Sequence, residues 1–181
     1  MEQKKFQTLL LETVICSIAC DGDIDDREIA ELHKMINQAQ YFKGLDVNEF
    51  LDKMIISVRN GGRAFLGDYF RRLQDAELSP MQELLVLEVV LRIIQADERL
   101  DDNEIAFLHL VRSNLNVHNE IIHQRFGTVP YLPGGSGECY KLSKKQREDL
   151  VGRIANVLEI KDSLGGIPDK FMEKQITLDI D

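Results

Sequence analysis

Two stretches of this chain are apolar with little polar relief. Leu9–Cys20 is broken only by Glu12, Thr13 and Ser17, and Leu84–Ile94 only by Glu88 and Arg92. Helices apolar on every side belong in the middle of a bundle rather than on its surface. An acidic turn follows each, and then a segment with apolar residues at helical spacing. These are Ile29, Leu32 and Ile36 in the first case, and Ile105 and Leu108, with Val111 near the stripe, in the second. The starts of these second helices are marked by Asp25-x-x-Glu28 and Asp101-x-x-Glu104, an N-cap acid with a glutamate three residues on.

The rest of the chain also has helical rhythm. Asp46-x-x-Glu49 predicts a helix with Phe50, Met54 and Val58 along one side, ended by Gly61-Gly62. Arg63–Asp75 reads as a further helix carrying Phe65, Tyr69 and Phe70. Ser79-Pro80 opens the next, with Pro80 at the first helical position and Gln82 completing the cap. A short helix is expected around Asn119–Phe126, a Gly/Pro loop over 127–142, and a last helix from Ser143-x-x-Gln146 to about Leu158. Asp162–Asp181, with Gly165-Gly166 and Pro168, reads as a loosely attached tail that is disordered by default, although alternation over Ile176–Asp181 would allow a short strand or docking segment. No alternating strand series and no strand–helix–strand rhythm occurs. The expected fold is an all-α bundle of about seven or eight helices over residues 1–158, followed by a C-terminal tail over 159–181.

The chain also repeats itself. Shifted by 76 positions, Leu9–His33 lies over Leu85–His109 without a gap, and 13 of the 25 pairs are identical. The identities include Glu12/Glu88, Asp21/Asp97, Asp25/Asp101, Glu28/Glu104 and His33/His109. Two related helix-turn-helix halves are therefore expected.

Charge sharpens this picture. The chain has 22 Lys+Arg against 31 Asp+Glu, a net of −9. Such a balance repels phosphate backbones and anionic membrane surfaces, which argues against nucleic acid as a partner. The two turns, Asp21–Glu31 and Asp97–Glu104, together carry the whole net charge. The first resembles the back half of an EF-hand loop, with Asp21, Gly22, Ile24 and Glu28 in place, but Ser17 and Ala19 stand where the front ligands belong. A conventional calcium loop is not expected. A composite site remains open, with Asp21, Asp25, Glu28, Asp97, Asp101 and Glu104 as candidate ligands for a divalent cation such as calcium or magnesium. The same carboxylates would equally serve as helix caps and a solvated rim.

At these residues the sequence resembles the TerB-like family, named for the tellurite-resistance protein TerB. The family mark is an apolar helix ending in Ala-x-Asp-Gly-x-Ile-x-x-x-Glu, occurring twice in an all-helical fold. Here it stands as Ala19-Cys20-Asp21-Gly22-Asp23-Ile24-Asp25-Asp26-Arg27-Glu28. In the second copy Glu98 replaces the glycine and Ala96 directly precedes Asp97. The resemblance covers about Phe6–Phe126. It implies a cytoplasmic or membrane-associated accessory protein of tellurite resistance and stress response, with divalent metal suspected at the acidic motifs. No His-Pro-Asp motif supports a co-chaperone role.

Other constellations point less far. Three cysteines, Cys16, Cys20 and Cys139, cannot close a disulfide framework and fit a reducing cytoplasm. Cys16 and Cys20 read as core, and Cys139 as the most exposed thiol. Ser17–Cys20 faintly resembles a lipoprotein box, but Glu12 interrupts the apolar stretch and no run reaches membrane-spanning length. His33 and His109 each lie five residues after a capping glutamate, about 140° around the helix from it, so glutamate and histidine would not easily grip one ion. They are expected at the core boundary, bonded across the repeat interface. Glu120-x-x-His123 has di-iron ligand spacing but occurs once. No nucleophile elbow or phosphate loop is found, so a non-enzymatic role is expected. The alternative to cation binding is an interaction module acting through loop 127–142 or the tail, with the turns as caps only. A protein partner suits either reading, and self-association is left open.

Overall fold

The computed structural model describes residues 1–20, 22, 26–44, 46–96, 100–132 and 139–164. Among them are seven α-helices, one 3₁₀ turn at Gln40–Phe42 and no strand. The helices are α1 Gln3–Ala19, α2 Asp26–Gln38, α3 Val47–Asp75, α4 Pro80–Ala96, α5 Asp102–Asn114, α6 Asn119–Phe126 and α7 Lys144–Leu164. The bundle is all-α, as the apolar periodicity requires. The bounds of α5 are those of α2 displaced by the 76-residue shift of the sequence repeat.

The two apolar helices pack against each other at the centre. α3 covers α1, α5 lies against α4, and α7 crosses both α3 and α5. From Leu9 to Ser17 every side chain of α1 is buried, and Val86–Leu91 of α4 is likewise enclosed. Between α3 and α5 the rings of Tyr69, Phe70 and Phe107 cluster with centroids 5.0–5.9 Å apart. The one polar atom of that cluster is satisfied, because the Tyr69 hydroxyl donates to Thr13 Oγ1 at 3.0 Å. Thr13 in turn donates to the Leu9 carbonyl at 2.8 Å.

Helix starts follow the sequence at α4 and α7 and depart from it at α3. Ser79/Gln82 and Ser143/Gln146 form reciprocal capping pairs at 3.0–3.3 Å. Asp46 makes no side-chain cap bond. Glu49, expected to complete that cap, pairs instead with Lys53 one turn on at 2.6 Å.

Gly61-Gly62 breaks the helical run as its composition predicts, so that Val47–Asp75 is two helical segments joined at a kink. Gly61 leaves helical geometry there, at φ −156° and ψ 43°. The neighbouring Gly62 explains why a glycine is needed. A Cβ there would stand 2.9 Å from Leu158 Cβ on α7, closer than side-chain atoms pack. Gly62 lets the two helices approach, and α7 continues to Leu164 instead of stopping near Leu158. The tail beyond it, residues 165–181, lies outside the described residues. Gly127, at φ 71°, closes α6 by donating its N–H to the His123 carbonyl at 2.9 Å. No described helix is long and apolar enough to cross a membrane.

This contact distinguishes two glycines of one helix. Gly62→Ala should lower stability by about 1–3 kcal/mol, because the new methyl meets Leu158 in a packed seam. Gly67→Ala, with open space at its Cβ, should be neutral or stabilise by up to about 1 kcal/mol. Urea midpoints of the two variants check the ordering.

Candidate functional site

The acidic turns begin where α1 and α4 end. Gly22 there has φ 87°, a conformation that explains the glycine of the first motif, and its N–H donates to the Ala19 carbonyl at 2.9 Å. Asp21, Asp25 and Asp97 lie outside the described residues, as does the side chain of Glu28. Of the candidate cation ligands the structure therefore places Asp101 and Glu104.

Those two form a capping box. Asp101 Oδ1 accepts from the Asn103 N–H at 2.6 Å, and Glu104 Oε2 accepts from the Asp101 N–H at 2.9 Å. Each occupies a backbone donor that the helix start leaves unpaired. The adjacent Asp102 receives Arg153 of α7 at 3.1 Å, so one carboxylate of the turn is held by the last helix. Among the described residues no three His, Cys, Asp or Glu side chains converge as metal ligands would.

The histidines do not bond across the repeat interface as expected. His33 Nδ1 lies 2.8 Å from Asn48 Oδ1 and its Nε2 3.6 Å from Asp52 Oδ1, both on α3. His109 Nε2 lies 3.0 Å from the Tyr131 carbonyl, with the Tyr140 ring edge-on at 5.9 Å. Identical residues have been fastened to different neighbours, because α2 is followed by α3 while α5 lies beneath the loop. Cys16 and Cys20 are buried, and burial pushes the Cys16 thiol well above its usual range, so it stays protonated packing. Cys139 is the least buried of the three and donates to the Asn116 carbonyl at 2.8 Å. Glu120 and His123 are both exposed on α6.

Sequence reasoning missed the polar groups inside the bundle. Glu12 on α1 is buried and gripped by Arg72 of α3, with Nε to Oε2 at 3.0 Å and Nη2 to Oε1 at 2.9 Å. Its repeat equivalent Glu88 is buried on α4 and takes a different partner set, Arg92 Nη2 at 2.6 Å and Arg125 Nη2 at 3.0 Å. The signal was present, since an identical glutamate inside two apolar helices demands a cation nearby. A second matched pair is inverted in polarity. Gln7 Nε2 donates to the Tyr41 carbonyl at 2.6 Å, whereas Glu83, 76 positions later, accepts from the N–H groups of Asn116 and Val117 at 2.8 and 2.5 Å. Both ties fasten the first turns of a central helix to the chain leaving the next one.

The end of α5 is further secured by cations. Arg112 is fully buried and donates to the Val117 carbonyl at 2.9 Å and Asn119 Oδ1 at 2.7 Å. Lys141 reaches back from the loop to the Ser113 and Leu115 carbonyls at 3.2 and 3.1 Å. These bonds satisfy helix-end carbonyls and favour the negative helix terminus. The described parts of loop 127–142 are thus tied down at His109, Asn116 and Lys141.

Glu12 gives this interior a pH signature. Burial is the main cause and raises its carboxyl above the ordinary 4.5, with Arg72 pulling it partly back. The folded state then holds this proton more tightly than the unfolded chain. Its contribution to stability is largest below pH 4.5 and is lost as pH rises through the elevated folded value. Glu12→Gln has no such proton. Relative to wild type, the variant should therefore gain stability between about pH 4 and about pH 7, as urea unfolding at both ends would measure. A flat or reversed difference would contradict the burial of this carboxylate.

Residues 9–125 match the family model described as tellurite resistance protein TerB. No curated protein and no solved structure matches the chain. The matched stretch begins within α1, takes in both acidic turns and ends in the last turn of α6, leaving loop 127–142 and α7 outside. With well over half its length in that match, the chain belongs to the TerB family.

Proposed function

We propose that this chain is a non-enzymatic, cytoplasmic accessory protein of tellurite resistance or broader stress response. Its two acidic turns would engage a divalent cation, calcium or magnesium, or a basic protein partner. The observation that carries this reading is the placement of charge, because two repeat-equivalent turns hold the whole net −9. Carboxylates at that density repel one another unless a cation or basic group lies among them. Part of the second turn is committed elsewhere: Asp101 and Glu104 cap α5, and Asp102 meets Arg153. The binding role then falls mainly on Asp97 in that turn, and on Asp21, Asp25 and Glu28 in the first. Those caps also support the second reading, in which the turns only start helices and a partner binds loop 127–142 or the tail.

Calorimetric titration of the chelator-stripped full chain with Ca²⁺, Mg²⁺ and a short oligolysine peptide separates the two. Saturable heat in the wild type, lost in Asp21→Asn/Asp97→Asn at unchanged helical circular dichroism, is the expected result. Silence from all three titrants would overturn the cation reading in favour of the second.

A further inference from the structure

The buried glutamates of the two central helices differ in a way that their shared sequence does not suggest. Glu12 spends both oxygens on one guanidinium, that of Arg72, a bidentate pair of balanced charge. Glu88 gives one oxygen each to two guanidiniums, Arg92 from its own helix and Arg125 from α6. Two cations on one carboxylate leave a local charge of plus one. The second cation exists because Arg92 stands where the first copy has Cys16.

That excess charge faces open space. Glu88, Arg92 and Arg125 line a cleft of about 250 Å³ together with Leu91, Phe126 and Val129. The cleft is smaller than the roughly 300–1,000 Å³ of drug-sized pockets, which suits a metabolite-sized guest. Glu88 keeps only 12% of its side chain exposed, whereas Arg92 and Arg125 keep 65% and 57%. The carboxylate is thus a buried anchor that orients two accessible guanidiniums. Each guanidinium has five donors in a planar fork and gives Glu88 one terminal nitrogen, so the others remain to face a ligand. Arg125 also lies over the Phe126 ring, its carbon 5.9 Å from the centroid, so cation and ring sit side by side at the cleft.

We propose that this cleft is a binding site for a small organic anion. Arg92 and Arg125 take its carboxylate or phosphate head, and Leu91, Phe126 and Val129 receive its apolar body. In a chain of net charge −9, an anion is attracted only where cations are held together locally, and Glu88 holds them together here. The site is independent of the acidic turns, since none of its ligands belongs to them.

The test is a titration of the ¹⁵N-labelled full chain, followed by NMR, with benzoate, phenyl phosphate, inorganic phosphate and phenol. Benzoate or phenyl phosphate should shift the Arg92, Arg125 and Phe126 signals saturably in the low millimolar range, with ring-to-Phe126 cross-relaxation, while neutral phenol does not. Which of the two saturates first distinguishes a carboxylate head from a phosphate head, and weaker inorganic phosphate shows the part played by the apolar wall. Arg92→Gln and Arg125→Gln, each leaving Glu88 its other guanidinium, should weaken binding about tenfold. Absence of saturable shifts with both aromatic anions would overturn the proposal, as would binding that survives both substitutions or lacks contact with Phe126.

Discussion

The packing of α1 against α4 is the constraint from which the rest follows. Each is buried around its full circumference, over Leu9–Ser17 in α1 and Val86–Leu91 in α4, so neither lies on a surface. α3 and α5 cover them and α7 packs on α3 and α5 in turn, which is why the chain becomes a bundle of this size rather than a helical hairpin. Burial at that depth also makes every polar group on the two helices costly until paired. Thr13 and Tyr69, Glu12 and Arg72, and Glu88 with its two arginines are the pairings this burial imposes.

The same constraint explains how two copies of one pattern diverge. Glutamate is identical in both central helices because each needs a partner that ties it to an outer helix. The partners come from whatever helix lies next: α3 in the first copy, α6 in the second. One copy ends with a single guanidinium on its glutamate and the other with two. The acidic turns that follow α1 and α4 carry the net charge of the chain, and in the second of them Asp101 and Glu104 are spent as caps. That net charge lies in the turn sequences, whereas Arg92 and Arg125 are gathered around Glu88 beside a cleft.

What could be read from the sequence was whatever rests on local pattern. Apolar runs located α1 and α4, Asn119–Phe126 was bounded as α6, and the Ser79/Gln82, Ser143/Gln146 and Asp101/Glu104 caps were visible as spacings. Long-range contacts were not. The close approach of α3 and α7 depends on Leu158 meeting Gly62, residues far apart in the chain. Asp46 looked like a cap because only its spacing to Glu49 was visible, whereas Glu49 is drawn to Lys53. Arg72 reaches Glu12 across 60 positions, and no motif announces such a pair. For the candidate cation site, the sequence showed which carboxylates repeat but not which are occupied as caps. Asp101 and Glu104 are so occupied.

Native-state amide hydrogen exchange tests the central claim most directly. If α1 and α4 are the layer that all others serve, the amides of Leu10–Ile15 and Leu87–Leu91 should exchange only through global unfolding and be the slowest in the chain. Those of α2 and α6 should open far more readily. Slowest exchange in α3 and α7, with α1 or α4 opening first, would contradict the account.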